Sequence, residues 1–183
     1  MTDFERAIVN GLNKYFESDE HPYSSGFAKR DQQDQYHQQV TDVLVWKPEL
    51  FIECKALKTK STGGVGFREH FSTETEDEDH QIQRQTDLLN RTGCKGVLAL
   101  ELRNGPGTPK ECYLIDWSLV YQRWDDPEKP NSIRFHELED LCEEDEDDGS
   151  AEYEPPKAVK VPREGGEYKF NQSIFEWFFQ IHG

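Results

Sequence analysis

The chain has 183 residues, 34% of them apolar and 12% aromatic, a lean but clustered composition that fits one folded domain with or without a tail and excludes a disordered chain. No run approaches the roughly 18 apolar residues of a membrane span, and the start MTDFERAIVNGL lacks a basic stretch followed by an apolar core; a cytoplasmic protein without a membrane partner is expected. The net charge of −16 counts against a broad basic footprint for nucleic acid. Thr2 to Glu5 reads as a capping box, followed by Phe4, Ala7, Ile8, Leu12, Tyr15 and Phe16 at helical spacing to about residue 17. Residues 21–26 break that helix, 26–30 read as a short strand, and 31–39 as a polar loop. Residues 40–46 and 50–57 are strands separated by Lys47-Pro48-Glu49, a hairpin. Residues 58–78, Gly-rich and then acidic without periodicity, read as a long loop. Asp79 is the expected cap of a helix over 80–91, with Ile82, Leu88 and Leu89 inward and Gly93 as its stop. Strands follow at 96–102 and 111–117, then a short helix at 118–124. An acidic linker or arm is expected at 137–156, then an edge strand at 157–162 and an aromatic helix from Ser173. This order predicts an α/β fold, one mixed β-sheet between helices, with a core at 1–136 and a C-terminal strand and helix at 157–183 packing onto it.

The acidity is concentrated. Residues 137–154 hold 11 acids and no base, and 74–79 hold 5 acids and no base; elsewhere 21 acids meet 21 bases. The four cysteines, Cys54, Cys94, Cys112 and Cys142, form no C-x-x-C pair, and the six histidines show no pairwise metal spacing. Reduced thiols are expected.

The chemistry is carried by Asp42 and the run Glu53-Cys54-Lys55. Strand alternation puts Phe51, Glu53 and Lys55 on one face and Ile52, Cys54 and Ala56 on the other. The short turn brings Asp42 opposite Glu53 or within one residue of it. Two clustered carboxylates repel unless a cation lies between them. Mg²⁺ suits such a pair, because it is hard, prefers oxygen and usually keeps several waters; Mn²⁺ is the natural substitute. Asp42 and Glu53 are the expected ligands, with the Cys54 carbonyl as a third donor, and Lys55 is placed to hold a water or offset phosphate charge. Against this stands a plain solvated Glu–Lys salt bridge, worth about 0–1 kcal/mol.

The sequence resembles the PD-(D/E)XK nuclease superfamily and, within it, Holliday-junction resolvases of the archaeal Hjc and bacterial RecU kind. Phe4-Glu5, Arg30, Thr41-Asp42, Ile52-Glu53-Cys54-Lys55, His80-Gln81-Ile82, Gly96 to Leu100 and Tyr113 to Asp116 carry the resemblance, over about residues 4–124. It implies a restriction-endonuclease-like three-layer core and a Mg²⁺-dependent endonuclease acting on branched DNA as a homodimer. Asp42 and Glu53 would be metal ligands, Lys55 the catalytic lysine, Glu5 the helix-borne acid and Gln81 the polar helix residue beside the site. The chain departs from the family pattern in having Thr41 where a proline precedes the first acid, and in its short hairpin turn.

Glu5 keeps two readings, the third helical residue of the capping box and an acid near the metal. Lys29, Arg30, Lys58, Lys60 and Arg68 flank the site as candidate phosphate contacts. The aromatic cluster Phe175, Trp177, Phe178 and Phe179 reads as core, with a dimer interface as the second reading. Two alternative functions stand beside the resolvase: a restriction or repair nuclease on linear duplex, and a non-enzymatic acidic protein that mimics DNA or binds a basic partner.

Overall fold

The computed structural model describes residues 2–19, 26–31, 41–71, 80–143 and 155–181. The expected cap Asp79, the acidic run 74–79, residues 32–40 and 144–154, and His21, His37 and His182 lie outside them. Helix α1 (Asp3–Phe16) opens with the capping box in both directions, the Thr2 hydroxyl accepting the Glu5 N–H while the Glu5 carboxylate accepts from Thr2 N–H. Phe4, Ile8, Leu12 and Tyr15 form its buried stripe.

Among the described residues ten strands follow, six of them in one sheet. β1 (Phe27–Arg30), β2 (Val43–Trp46) and β3 (Leu50–Lys58) are antiparallel neighbours. β3 then lies parallel to β5 (Lys95–Arg103), and the sheet continues antiparallel through β6 (Glu111–Asp116) to β8 (Ala158–Val161) at the far edge. The crossover between β3 and β5 carries β4 (Gly64–Gly66), α2 (Phe67–His70) and α3 (Gln81–Thr92), as a parallel pair requires. α4 (Trp117–Asp125) leads into β7 (Ser132–Arg134), which pairs with β4. A small hairpin, β9 (Arg163–Glu164) and β10 (Glu167–Tyr168), precedes α5 (Gln172–Gln180).

The sheet separates two apolar clusters. On one face α1 and α5 pack Phe4, Ile8, Leu12, Phe175 and Phe178 against Val43, Val45, Ile52, Val97 and Ala99. On the other, α3 and α4 with β4 and β7 pack Ile82, Leu89, Trp117, Val120, Val65 and Ile133 against Leu98, Leu100 and Ile115. The fold is thus the expected mixed α/β architecture of three layers.

Three readings are corrected. Residues 58–78 are not one long loop: Gly64–Gly66 pair with β7 because the strand Ser132–Arg134 supplies their ladder, a partner nearly 70 residues away that no local pattern reveals. α3 is capped by His80, whose Nδ1 accepts the Ile82 N–H, so the cap falls one residue past the expected Asp79 and the helix begins at Gln81. The acidic segment does not leave the body at 137. Two 3₁₀ turns, Phe135–Glu137 and Asp140–Cys142, carry it on to 143; Leu138 is fully buried, and Glu139 accepts from the Tyr113 hydroxyl and Lys160. The aromatic helix forms with Asn171 as its cap, burying Phe175, Trp177 and Phe178 and leaving Phe179 exposed. No helix among the described residues is long and apolar enough to cross a membrane.

The β1 edge is closed from within. The Asn13 amide of α1 donates to the Ala28 carbonyl at 2.9 Å, and the Ala28 N–H donates to Asn13 Oδ1 at 2.7 Å. A side chain thereby occupies backbone groups that would otherwise template another strand. Asn13→Ala removes both bonds and is expected to cost about 2 kcal/mol, lowering Tm by about 5 °C and promoting aggregation on heating; calorimetry with light scattering checks both.

Candidate active site

The β2–β3 hairpin settles which residues face each other. Val43 pairs with Ile52, Leu44 with Phe51 and Val45 with Leu50. The ladder ends at Val43 and Ile52; Asp42 lies just beyond it, and its N–H donates to the Ile52 carbonyl at 3.2 Å, one residue off that register, so Asp42 stands within one residue of the position opposite Glu53. Thr41 donates its hydroxyl to the same carbonyl at 3.0 Å and so fixes the entry to the hairpin.

Alternation then aims the side chains. Cys54 and Ala56 pack toward α1, while Glu53 and Lys55 face α3. Lys55 Nζ donates to Glu53 Oε1 at 2.6 Å, and Gln81, the first residue of α3, donates its amide to the same oxygen at 2.9 Å. The Lys55 ammonium also lies 4.7 Å from the centre of the Phe71 ring, a second restraint on its position. Asp42 Oδ2 accepts the Cys54 N–H at 2.7 Å.

Glu5 and Arg30 sit on the α1 side. Glu5 Oε1 accepts from the Thr2 hydroxyl, and Arg30 Nε lies 2.8 Å from Glu5 Oε2 in a contact too bent for a hydrogen bond. The carboxylate therefore serves the cap with one oxygen and faces a guanidinium with the other. Lys29, Lys58, Lys60 and Arg68 are exposed. Lys58 ends β3 and Lys60 lies in the following turn, so neither joins the Asp42, Glu53, Lys55 and Gln81 group. Arg68 instead lines an open cleft of about 490 Å³ with Arg123, Trp124 and Lys129.

The electrostatics are those of an under-compensated acid pair. Glu53 is 2% exposed. Burial, opposed by Lys55 and reinforced by Asp42, pushes its carboxyl up to about 7. Burial also raises Asp42, and Glu5 adds to it, while the Cys54 N–H, Lys55 and Arg30 pull the other way. The Cys54 thiol is pushed far up by burial and is no candidate nucleophile. Among the described residues no three His, Cys, Asp or Glu side chains gather into a metal shell. What the site offers is two hard carboxylates, each destabilised by burial and by another acid nearby, which is the donor set that Mg²⁺ takes with waters completing its shell.

Phe71 carries no sequence signal of its own, and His80 enters the sequence reading only within the His80-Gln81-Ile82 run. Phe71 directly follows α2, beyond Gly63, Gly64 and Gly66. His80, one of six scattered histidines, caps α3 immediately before Gln81 and stacks on Trp124 with ring centres 3.9 Å apart. Burial lowers its pKa, so the neutral ring keeps Nδ1 as the acceptor the cap needs.

No family model matches the chain, and no curated protein matches it. Among solved structures the chain is similar to Hjc of Archaeoglobus fulgidus, a Holliday junction resolvase from an archaeal hyperthermophile, at 15% identity and a TM-score of 0.45, over 76% of this chain and 92% of that one.

Both carboxylates have raised pKa values in the fold, so they favour it while protonated. They oppose it as pH climbs from the ordinary 3.8 and 4.5 toward about 7. Asp42→Asn keeps an oxygen for the Cys54 N–H and deletes one charge. It is expected to melt higher than wild type at about pH 8 without divalent metal, by about 3 °C per kcal/mol relieved, with the difference closing toward about pH 4. Thermal melts across that range check it, and a lower Tm at pH 8 would contradict it.

Proposed function

We propose that this chain is a Mg²⁺-dependent DNA endonuclease that hydrolyses phosphodiester bonds in branched DNA, with the four-way Holliday junction as substrate and a homodimer as the working form. The observation that carries the reading is the convergence of Asp42, Glu53, Lys55 and Gln81 at one end of a hairpin, with both acids raised in pKa and one ammonium held between strand and ring. Junction specificity and dimerisation are supported by the resemblance of the sequence to junction resolvases.

Asp42 and Glu53 would hold the metal, with the Cys54 carbonyl as a further oxygen. When bound, Mg²⁺ or Mn²⁺ supplies charge neutralisation and polarisation of the phosphodiester. The protein's own groups supply the rest. Gln81 fixes the Glu53 carboxylate by donating to Oε1. Lys55 is 18% exposed at its side chain, open enough to meet a phosphate oxygen or an attacking water while its ammonium lies against the Phe71 ring, and it can offset negative charge that grows as water attacks phosphorus. Glu5 and Arg30 act as a fixed ion pair behind Asp42. Lys29, Lys58, Lys60 and Arg68 are proposed phosphate contacts, each adding salt-dependent affinity.

The test is cleavage in Mg²⁺ of a mobile four-way junction, a flap and a plain duplex. Symmetric nicks confined to the junction are expected. Asp42→Asn, Glu53→Gln and Lys55→Ala should each lower kcat by at least about 100-fold, and Mg²⁺ should raise the Tm of wild type but not of Asp42→Asn. Equal cutting of all three substrates would assign a duplex nuclease. No cutting and no metal-dependent Tm shift would reject the enzyme reading.

A further inference from the structure

The alternation that aims Glu53 and Lys55 also fixes what stands beside them. Leu44 pairs with Phe51, Lys29 with Leu44, and Phe27 with Trp46. Phe27, Lys29, Leu44, Trp46 and Phe51 therefore lie on the same sheet face as Glu53 and Lys55. The opposite face of these strands is sealed by α1, which buries Ala28, Val43 and Val45. On the Glu53 face, Phe27 and Trp46 remain 48% and 54% exposed. Their rings are within 14° of parallel, with centroids 6.5 Å apart. Between this pair and the acids the exposed side chain is Lys29. No Asp or Glu stands on this face of β1 or β2, in a chain whose net charge is −16.

Such a pair of exposed rings marks a contact surface, and its size discriminates between occupants. A stable interface with a second copy of the chain needs about 800 Å² per partner. Two half-exposed rings offer roughly 200 Å², a quarter of that. A nucleobase needs only one flat apolar face, and its phosphate answers a lysine.

We propose that Phe27 and Trp46 form a stacking platform for unpaired nucleobases of the DNA strand presented to Asp42, Glu53 and Lys55. This rests on the nuclease reading of that site and narrows its substrate class. Trp46 stands four residues from Asp42 along β2, about 13 Å, which is the rise of about four stacked nucleotides. The held bases thus lie a few nucleotides from the bond to be cut. Bases inside a duplex are stacked on one another and cannot reach the rings. The platform therefore favours DNA with splayed or single-stranded arms beside the cleavage point.

Fluorescence anisotropy on the Asp42→Asn protein without divalent metal tests this, using a blunt duplex, a fork with splayed arms and a four-way junction carrying a short unpaired centre. Trp46→Ala and Phe27→Ala, each added to that background, should weaken binding of the fork and the open junction about tenfold, and of the duplex less than twofold. Trp46→Phe should retain most of the affinity. The fork, but not the duplex, should quench the emission lost in Trp46→Phe. Both side chains are at the surface, so Tm should stay at the parent value, and Phe27→Ala serves if Trp46→Ala misfolds.

Equal weakening on all three DNAs, or none, overturns the platform, as does a dimer in sedimentation that Trp46→Ala splits. Cleavage by wild type in Mg²⁺ is scored separately: cutting with an indifferent Trp46 rejects the platform and leaves the nuclease reading standing. A protein that neither cuts nor binds any of the DNAs rejects both.

Discussion

A carboxylate almost closed to water, with a second carboxylate on the adjoining strand acting on its charge, is the constraint that organises one end of this molecule. A second buried acid shows how unusual that is. Glu101 is 1% exposed on the neighbouring strand, yet burial is outweighed there by donors: the Tyr168 hydroxyl and Arg103 at 2.6 Å each, with Lys110 beside them. Its pKa is accordingly lowered. Glu101 ties the β9–β10 hairpin to the sheet, and its charge is balanced. Glu53 receives Lys55 and Gln81 but faces Asp42, and its pKa rises. A fold that balances a buried carboxylate on one strand leaves the one beside it short of positive charge, and the proposed cation site rests on that difference.

The hairpin was legible because its information is local. Period-two alternation and a short turn fix both the faces and, within one residue, the register of Asp42 against Glu53. The α1 stripe and capping box were legible for the same reason. What escaped the sequence is non-local. β4 exists only because β7 comes back to it, and Phe71 meets Lys55 only because that excursion returns the chain to the sheet. His80 takes over as the cap because an imidazole nitrogen can accept from Ile82 N–H, a role that composition assigns first to Asp or Ser. Glu5 was ambiguous because a carboxylate has two oxygens, and here they serve different partners.

The sheet also divides labour between its faces. On the α1 side, Glu5 and Arg30 compensate each other beneath a packed core. On the α3 side, Glu53, Lys55 and Gln81 meet an incompletely covered surface. Asp42, at the end of β2, feels groups from both sides, since Glu5, Arg30 and Lys55 all act on its ionisation. A residue at a strand end can do this because the alternation that separates the faces stops there. The paired acids therefore sit where the closed and open faces meet, and a strand of DNA laid over the open face would bring its backbone to that edge.

The charge of the chain then stops being an objection to a polyanionic substrate. Fields between exposed charges fade over about 8 Å at physiological salt, so net charge governs how partners approach and local charge governs how they seat. Two acidic runs account for 16 of the 37 acids, and the remainder of the chain is balanced. On the Glu53 face the strands β1 and β2 carry Lys29 and no acid; Asp31 lies just past β1, against Asp42, and Lys55 stands on β3. Long-range repulsion in such a protein slows the capture of any nucleic acid, and only substrates that gain from specific contacts at the site overcome it. On the proposed reading, affinity would be drawn from stacking and from the acid pair's need for a cation more than from bulk attraction, which would favour discrimination between DNA structures over tight binding to duplex.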